Sequence, residues 1–231
     1  MIIIPEINAI YVRVPSNEDG KLTDAIMRKY PSARPLYNQM ESDGIPIEYK
    51  HFEKFGIIRD PIDRLWDFYN AHRNDEANVY SLAIYGPAAK RYDFENWLIL
   101  NNVCFQAYAN PEKTRENGTL YGINEIIHHL PENQKSQYFY LSPTSGTAAY
   151  GKSAVEPNSN GIMIFPYSHM NHVANALGIK EDVTPEELYG PAPQIESALV
   201  RDTVLPLFAW DFQMCENMRI AMLVSDNSKT A

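Results

Sequence analysis

The most constraining stretch of the chain is Phe55 to Tyr69, where a strand-like run passes into a helix across Arg59 and Asp60. Phe55, Ile57 and Ile58 form a short apolar, partly β-branched run, the signature of a buried core strand. Asp60 suits the N-cap of a helix. Pro61 suits its first position, where the missing N–H costs nothing. Asp63 adds an acid to the first turn, where the helix dipole favours it. Ile62, Leu65, Trp66 and Tyr69 then recur at i, i+3, i+4 and i+7, one apolar stripe on a helix running to about Arg73. A strand that feeds a striped helix this abruptly buries both elements by packing the helix against a sheet.

The rest of the chain repeats this alternation. Ala9 to Val14 reads as a strand ended by Pro15, within an N-terminal run that is strand-like throughout. A polar turn from Ser16 to Gly20 leads into a helix from Lys21 to Tyr30. Residues 31–46, with Pro31, Pro35, Gly44 and Pro46, read as loop. Residues 74–92 carry no decisive pattern. A helix is expected from Phe94 to Tyr108, its stripe broken by Asn101. A loop over 110–122 follows, then a short helix from Asn124 to Leu130 closed by Pro131. Tyr138–Leu141 reads as a short strand, 142–160 as a long polar loop, and Ile162–Phe165 as a strand. Ser168–Leu177 reads as a helix with Gly178 at its C-terminal end. After the proline-bearing stretch 180–193, a long helical pattern runs from Ile195 to about Arg219, bent at Pro206. Alternating strands and helices favour a mainly parallel sheet covered on both faces. In such sheets ligands sit beyond the carboxyl ends of the strands, here the joins at 14–23 and 58–61.

Composition limits the partners. The 231 residues suit a single domain spanning the chain. With 45% apolar and 21% charged residues the chain is globular rather than disordered. The 20 basic against 29 acidic residues, net −9, argue against nucleic acid as the partner. Cys104 and Cys215 stand in apolar stretches with no metal-binding spacing, so both read as buried free thiols, and nothing requires an oxidising compartment. Glu6 and Arg13 interrupt the apolar N-terminus, which reads as strand rather than leader. No run approaches the roughly 18 apolar residues of a membrane span. A cytoplasmic chain without membrane contact is therefore expected.

Phe55-Gly-Ile-Ile-Arg-Asp-Pro-Ile-Asp-Arg-Leu-Trp-Asp-Phe-Tyr69 resembles the sulfotransferase segment that reads roughly F-x-x-x-R-D-P-x-x-R-L-x-S-x-Y. Other parts agree in order. Ala9 to Thr23 is similar to the family's first strand and loop, Gln137 to Leu141 to its Q-x-x-Y-L segment, Ile162 to Ile179 to its next strand and helix, and Phe208 to Phe212 to its terminal Y-x-x-D-Y helix. The similarity covers most of the chain, and R-D-P-x-x-R is its specific part. It implies a P-loop-like three-layer α/β fold, a mainly parallel central sheet flanked by helices. It also implies the sulfate donor 3′-phosphoadenosine 5′-phosphosulfate and a small-molecule or glycan acceptor offering a hydroxyl or amine. In the family the first loop wraps the 5′-phosphosulfate. The arginine of R-D-P and a serine eight positions later hold the 3′-phosphate, and a His or Glu takes the acceptor's proton. Sulfuryl transfer needs such groups: helix N–H donors on the phosphate, a cation near the leaving oxygen and a base within reach of the acceptor.

Carried onto this chain, the resemblance places the donor loop at Ser16, Gly20, Lys21 and Thr23, the 3′-phosphate at Arg59 and Asp67, and the base at His51. Several positions depart from the family. Its loop reads P-K-x-G-x-[ST]-[ST], whereas Ser16 follows Pro15 and two acids, Glu18 and Asp19, stand in the loop. With two residues inserted, Gly20 and Thr23 recover the glycine and a hydroxyl, and Lys21 supplies charge from a shifted position. Asp67 replaces the serine, and a carboxylate about 4 Å from a phosphate is repelled by about 1 kcal/mol in water and about 4 at an effective dielectric of 20. Asp67 turned to solvent or paired with Arg64 is the structural alternative. Pro166 stands where the family often has Glu.

Two functions therefore stand open. One is sulfuryl transfer with Lys21 and His51 as catalytic residues, and with Tyr37, Tyr49 and Tyr150 near the acceptor. The other is a catalytically inactive protein on the same scaffold, contacting protein subunits, for example in a virus particle, where the chain would then be found. A nucleotide-kinase reading rests only on Gly20-Lys21-Leu22-Thr23, a fragment of the Walker pattern. No metal is expected: His128 and His129 point apart, and His169 and His172 lack an acidic partner in pattern.

Overall fold

The structure is a computed structural model. It describes residues 1–14, 17, 19–36, 45–77, 86–100, 137–141 and 162–229, with the backbone alone at 138, 139 and 220–229. The helix expected at 124–130, the later part of that at 94–108, the loops at 110–122 and 142–160, Ser16, Tyr37, Tyr150, Cys104, His128 and His129 lie outside the described residues. In chain order the elements are β1 (Ile2–Ile4), β2 (Ala9–Val12), α1 (Gly20–Lys29), β3 (Arg34–Pro35), β4 (Glu53–Ile58) and α2 (Pro61–Arg73). Next come α3 (residues 86–91) and α4 (residues 94–100). The remainder are α5 (Gln137–Leu141), β5 (Ile162–Pro166), α6 (Met170–Ala176), α7 (Ala198–Thr203) and α8 (Ala209–Lys229). They fall into two compact units, one of residues 1–60, 137–186 and 210 onward, the other of 61–136 and 187–209.

The first unit is built on a five-stranded sheet in the order β3-β1-β2-β4-β5. The sheet is mixed rather than mainly parallel. β2, β4 and β5 run parallel, while β1 is antiparallel to both β2 and β3. The cause is local. The N-terminal run is not one strand: a 3-10 turn at Pro5–Ile7 and Asn8 in the left-handed region (φ 50°) reverse it. So short a connection can only make an antiparallel pair.

Strand β2 lies directly beside β4, Tyr11 opposite Phe55, and their rings stack with centroids 5.0 Å apart. This face of the sheet carries Ile2, Ile4, Ala9, Tyr11, Phe55 and Ile57. It is covered by Leu22, Ala25 and Ile26 of α1 and by Met170, Val173 and Ala174 of α6. Each large side chain so buried contributes about 1.5–3 kcal/mol. The expected strand at Tyr138–Leu141 is instead the helix α5. An apolar run this short has no periodicity of its own to separate helix from strand. Its Leu141 lies over Gly56, where an added Cβ would stand 2.5 Å from Leu141 Cδ2 and 3.3 Å from the Val12 carbonyl oxygen. The helix expected at 168–177 begins as a 3-10 turn, Tyr167–His169, before α6. It ends as expected at Gly178 (φ +69°): Ile179 N donates to Ala174 O at 2.8 Å and Gly178 N to Asn175 O at 2.9 Å, a Schellman closure.

The second unit gathers aromatic rings along α2 and α4. Tyr69 meets Trp66, Phe94 and Trp97 at centroid distances of 5.6, 5.5 and 5.4 Å. The proline-bearing stretch 189–197 is fastened to these helices through its backbone. Trp66 Nε1 donates to Tyr189 O at 3.4 Å, Ala192 N donates to Asp63 at 3.0 Å, and Ser197 N donates to Glu95 at 3.0 Å. The Tyr189 hydroxyl donates to Glu76. The long helix expected over 195–219 is three elements. Ser197 caps α7, accepting from Val200 N at 3.3 Å. Pro206 sits in a 3-10 turn, Leu205–Phe208, because it cannot donate within a helix interior. α8 then begins at Ala209. Among the described residues no helix is long and apolar enough to cross a membrane.

Candidate functional site

The parallel strands β2, β4 and β5 of the first unit end together at Val12, Ile58 and Pro166, so the segments beyond them meet at one end of the sheet. Among the described residues, Arg13, Asn17 and Asp19 follow β2, Arg59 follows β4, and Tyr167 follows β5. Gln137, the first residue of α5, joins them. Its Oε1 accepts from Arg59 N at 2.9 Å and its Nε2 donates to Arg59 O at 2.6 Å. Asn17 Nδ2 donates to the same Oε1 at 3.1 Å and to Ile57 O at 2.8 Å. Gln137 N donates to Asp211 Oδ2 at 2.8 Å. Asn17, Gln137 and Asp211 are all essentially buried. Buried polar groups persist when they are paired, and this network pairs the chain's own peptides.

The Arg59 side chain is buried (6% exposed), with its Cζ 4.5 Å above the Tyr167 ring centroid. Cys215 Sγ donates to Arg59 O at 3.4 Å. Burial first, then the carboxylates of Asp211 and Asp60, push this thiol up to about 12. It is therefore inert as a nucleophile near neutrality.

At the start of α1 stands a second cluster. The Asp19 carboxylate is buried and accepts from Tyr11 Oη at 2.6 Å, Arg13 Nε at 2.9 Å and Arg13 Nη2 at 2.7 Å. Burial, and next the Asp19 charge, hold the Tyr11 phenol well above its ordinary range, so it stays a neutral donor. Asp19 occupies the N-cap position of α1 without capping it. Its charge is spent on Arg13 and Tyr11.

The residues picked from the sequence are partly brought together. Gly20, Lys21 and Thr23 lie in the first turn of α1, at the same sheet end as Arg59. Gly20 is not crowded: a Cβ there would meet nothing within 4 Å. Thr23 Oγ1 is buried and makes no hydrogen bond. Lys21 is half-exposed and pairs with Glu186 at 2.5 Å, with Thr184 O at 3.3 Å. His51 is exposed in the turn before β4. The six residues of β4, roughly 20 Å of strand, separate this expected base from Arg59 and from that end of the sheet. Asp67 belongs to the second unit and is buried on α2 (1% exposed), not turned to solvent. His169 and His172 lie with ring centroids 6.4 Å apart. Among the described residues no group of three His, Cys, Asp or Glu is placed to hold a metal.

Asn17 and Tyr167 carry no motif in the sequence, and Gln137 and Asp211 stand there only as members of loose patterns. Their signal was polarity out of place. Gln137 opens the apolar run ending at Leu141, and Asp211 stands between Trp210 and Phe212. Compared with protein-family models, curated proteins and solved structures, the chain matches none.

Proposed function

We propose that the chain is a sulfotransferase-like scaffold that acts by contact with other protein chains and not by sulfuryl transfer. The observation that weighs against sulfuryl transfer is the Asp19 carboxylate, buried and clamped by Tyr11 and Arg13 at the start of α1. A donor phosphate cradled by that helix would meet a buried carboxylate in its own loop, and Arg13, the cation nearest it, is already paired with that carboxylate. Lys21, the replacement cation, is matched by Glu186, and His51 lies at the far end of β4.

The enzyme reading has one observation in its favour. β2 and β4 are parallel neighbours, so the first loop and Arg59 share the end of the sheet where a donor would bind. Thermal-shift titration with the desulfated donor, 3′-phosphoadenosine 5′-phosphate, separates the two. The scaffold reading expects no shift for the natural chain. A saturable shift that vanishes in Arg59→Ala favours the enzyme.

A further inference from the structure

We propose that the second unit holds a site for a small organic cation, a quaternary ammonium, in a cavity between α2, α4 and residues 193–197. The cavity measures about 460 Å³, within the usual range for small-molecule sites. One wall is aromatic. Trp66 stacks on Tyr69 at 5.6 Å and meets Phe94 edge-on at 5.1 Å. The Trp66 N–H is bonded to the Tyr189 carbonyl, and the residue lines the cavity.

Among the described residues the lining charges are unequal: Asp93, Glu95 and Glu196 stand against one guanidinium, Arg73. Arg73 is drawn to Tyr69, its Nη1 donating to the hydroxyl at 2.5 Å and its Cζ 5.7 Å from the ring centroid, so the Tyr69 ring already carries a cation and the added one is expected against Trp66 and Phe94. Two of the acids are held by neutral donors. Asp93 accepts from Asn96 N at 2.9 Å and Nδ2 at 3.0 Å, and Glu95 from Ser197 N at 3.0 Å. Glu95 thereby fastens the 193–197 wall and fixes a carboxylate at the cavity.

Ring quadrupoles and surplus carboxylates both attract positive charge and repel anions. A quaternary ammonium fits this pairing best. It needs no hydrogen-bond acceptor and sheds water more readily than a bare amine, and a metal ion would need converging oxygens that are absent among the described residues. The site lies wholly in the second unit and is independent of the scaffold reading, which its failure would leave untouched.

Tryptophan-fluorescence and calorimetric titrations of the full chain test it with three probes: choline, its neutral isostere with carbon in place of nitrogen, and benzoate. Choline is expected to saturate, the isostere to bind at least about tenfold more weakly, and benzoate not to bind. Trp66→Leu, checked for folding by circular dichroism, should abolish choline binding. Glu196→Gln, an exposed substitution, should weaken it about threefold and flatten its salt dependence. The proposal is overturned if the isostere matches choline, if benzoate binds better, if no probe saturates, or if folded Trp66→Leu or Glu196→Gln binds choline as tightly as the natural chain.

Discussion

The side-chain amide of Gln137 clasps the peptide groups of Arg59 from both sides, Oε1 on the N–H at 2.9 Å and Nε2 on the carbonyl at 2.6 Å. A glutamine 78 positions away thus completes the hydrogen bonding of a residue just past the end of β4. Gln137→Leu keeps much of the volume and strands both buried groups. At about 1–3 kcal/mol for each unsatisfied group, the variant should lose about 2–6 kcal/mol in urea unfolding. An unchanged midpoint and slope would show that the clasp contributes nothing.

The Arg13–Asp19 pair joins a buried carboxylate to a guanidinium whose side chain is 35% exposed. Its two-pronged geometry places it above an ordinary surface pair. A double-mutant cycle with Arg13→Ala and Asp19→Ala should return a coupling of about 1–2 kcal/mol. Additive losses would mean that Tyr11 alone satisfies the carboxylate.

Gly56 is required by close approach. Alanine there would press on Leu141 Cδ2 and the Val12 carbonyl. Gly56→Ala should therefore cost about 1–3 kcal/mol. Adding Leu141→Ala should recover part of that loss, measured against Leu141→Ala alone. The two substitutions contradict this packing if their effects simply add.

What the sequence disclosed followed the range of the interactions. The β4–α2 join was legible because its signals, Asp60, Pro61 and the stripe from Ile62 to Tyr69, are local, and the helix spans Pro61–Arg73. Gly178 marked a helix end for the same reason. The β1–β2 reversal was also written locally, in Pro5 and Asn8, but the apolar run around them read as one strand and hid the antiparallel half of the sheet. α5 was not legible, because the burial of Tyr140 and Leu141 depends on a sheet assembled from distant segments. The polar network was hidden more deeply, since Asn17 meets Gln137 across 120 positions. A motif match could place Arg59 at the strand end, but not the Tyr167 ring beneath it.

The Cys215 thiol, pushed up to about 12 by burial and by Asp211 and Asp60, titrates in the unfolded chain near 8.5. Folding therefore favours its protonated form. That contribution is fully present below about pH 8.5 and is lost as the pH rises towards 12. At pH 8, iodoacetamide followed by peptide mass mapping should label Cys215 far more slowly in the native chain than in urea. Equal rates would mean the thiolate is not suppressed.

We infer that Arg59 serves the protein's own packing instead of a nucleotide phosphate. Chemical unfolding of the natural chain and of Arg59→Ala, each with and without 3′-phosphoadenosine 5′-phosphate, tests it most directly. A loss of about 1–3 kcal/mol is expected in the variant, from the Tyr167 stack and the buried stem, with no effect of the nucleotide on either chain. A variant as stable as the natural chain, together with stabilisation of the natural chain alone by the nucleotide, would contradict it.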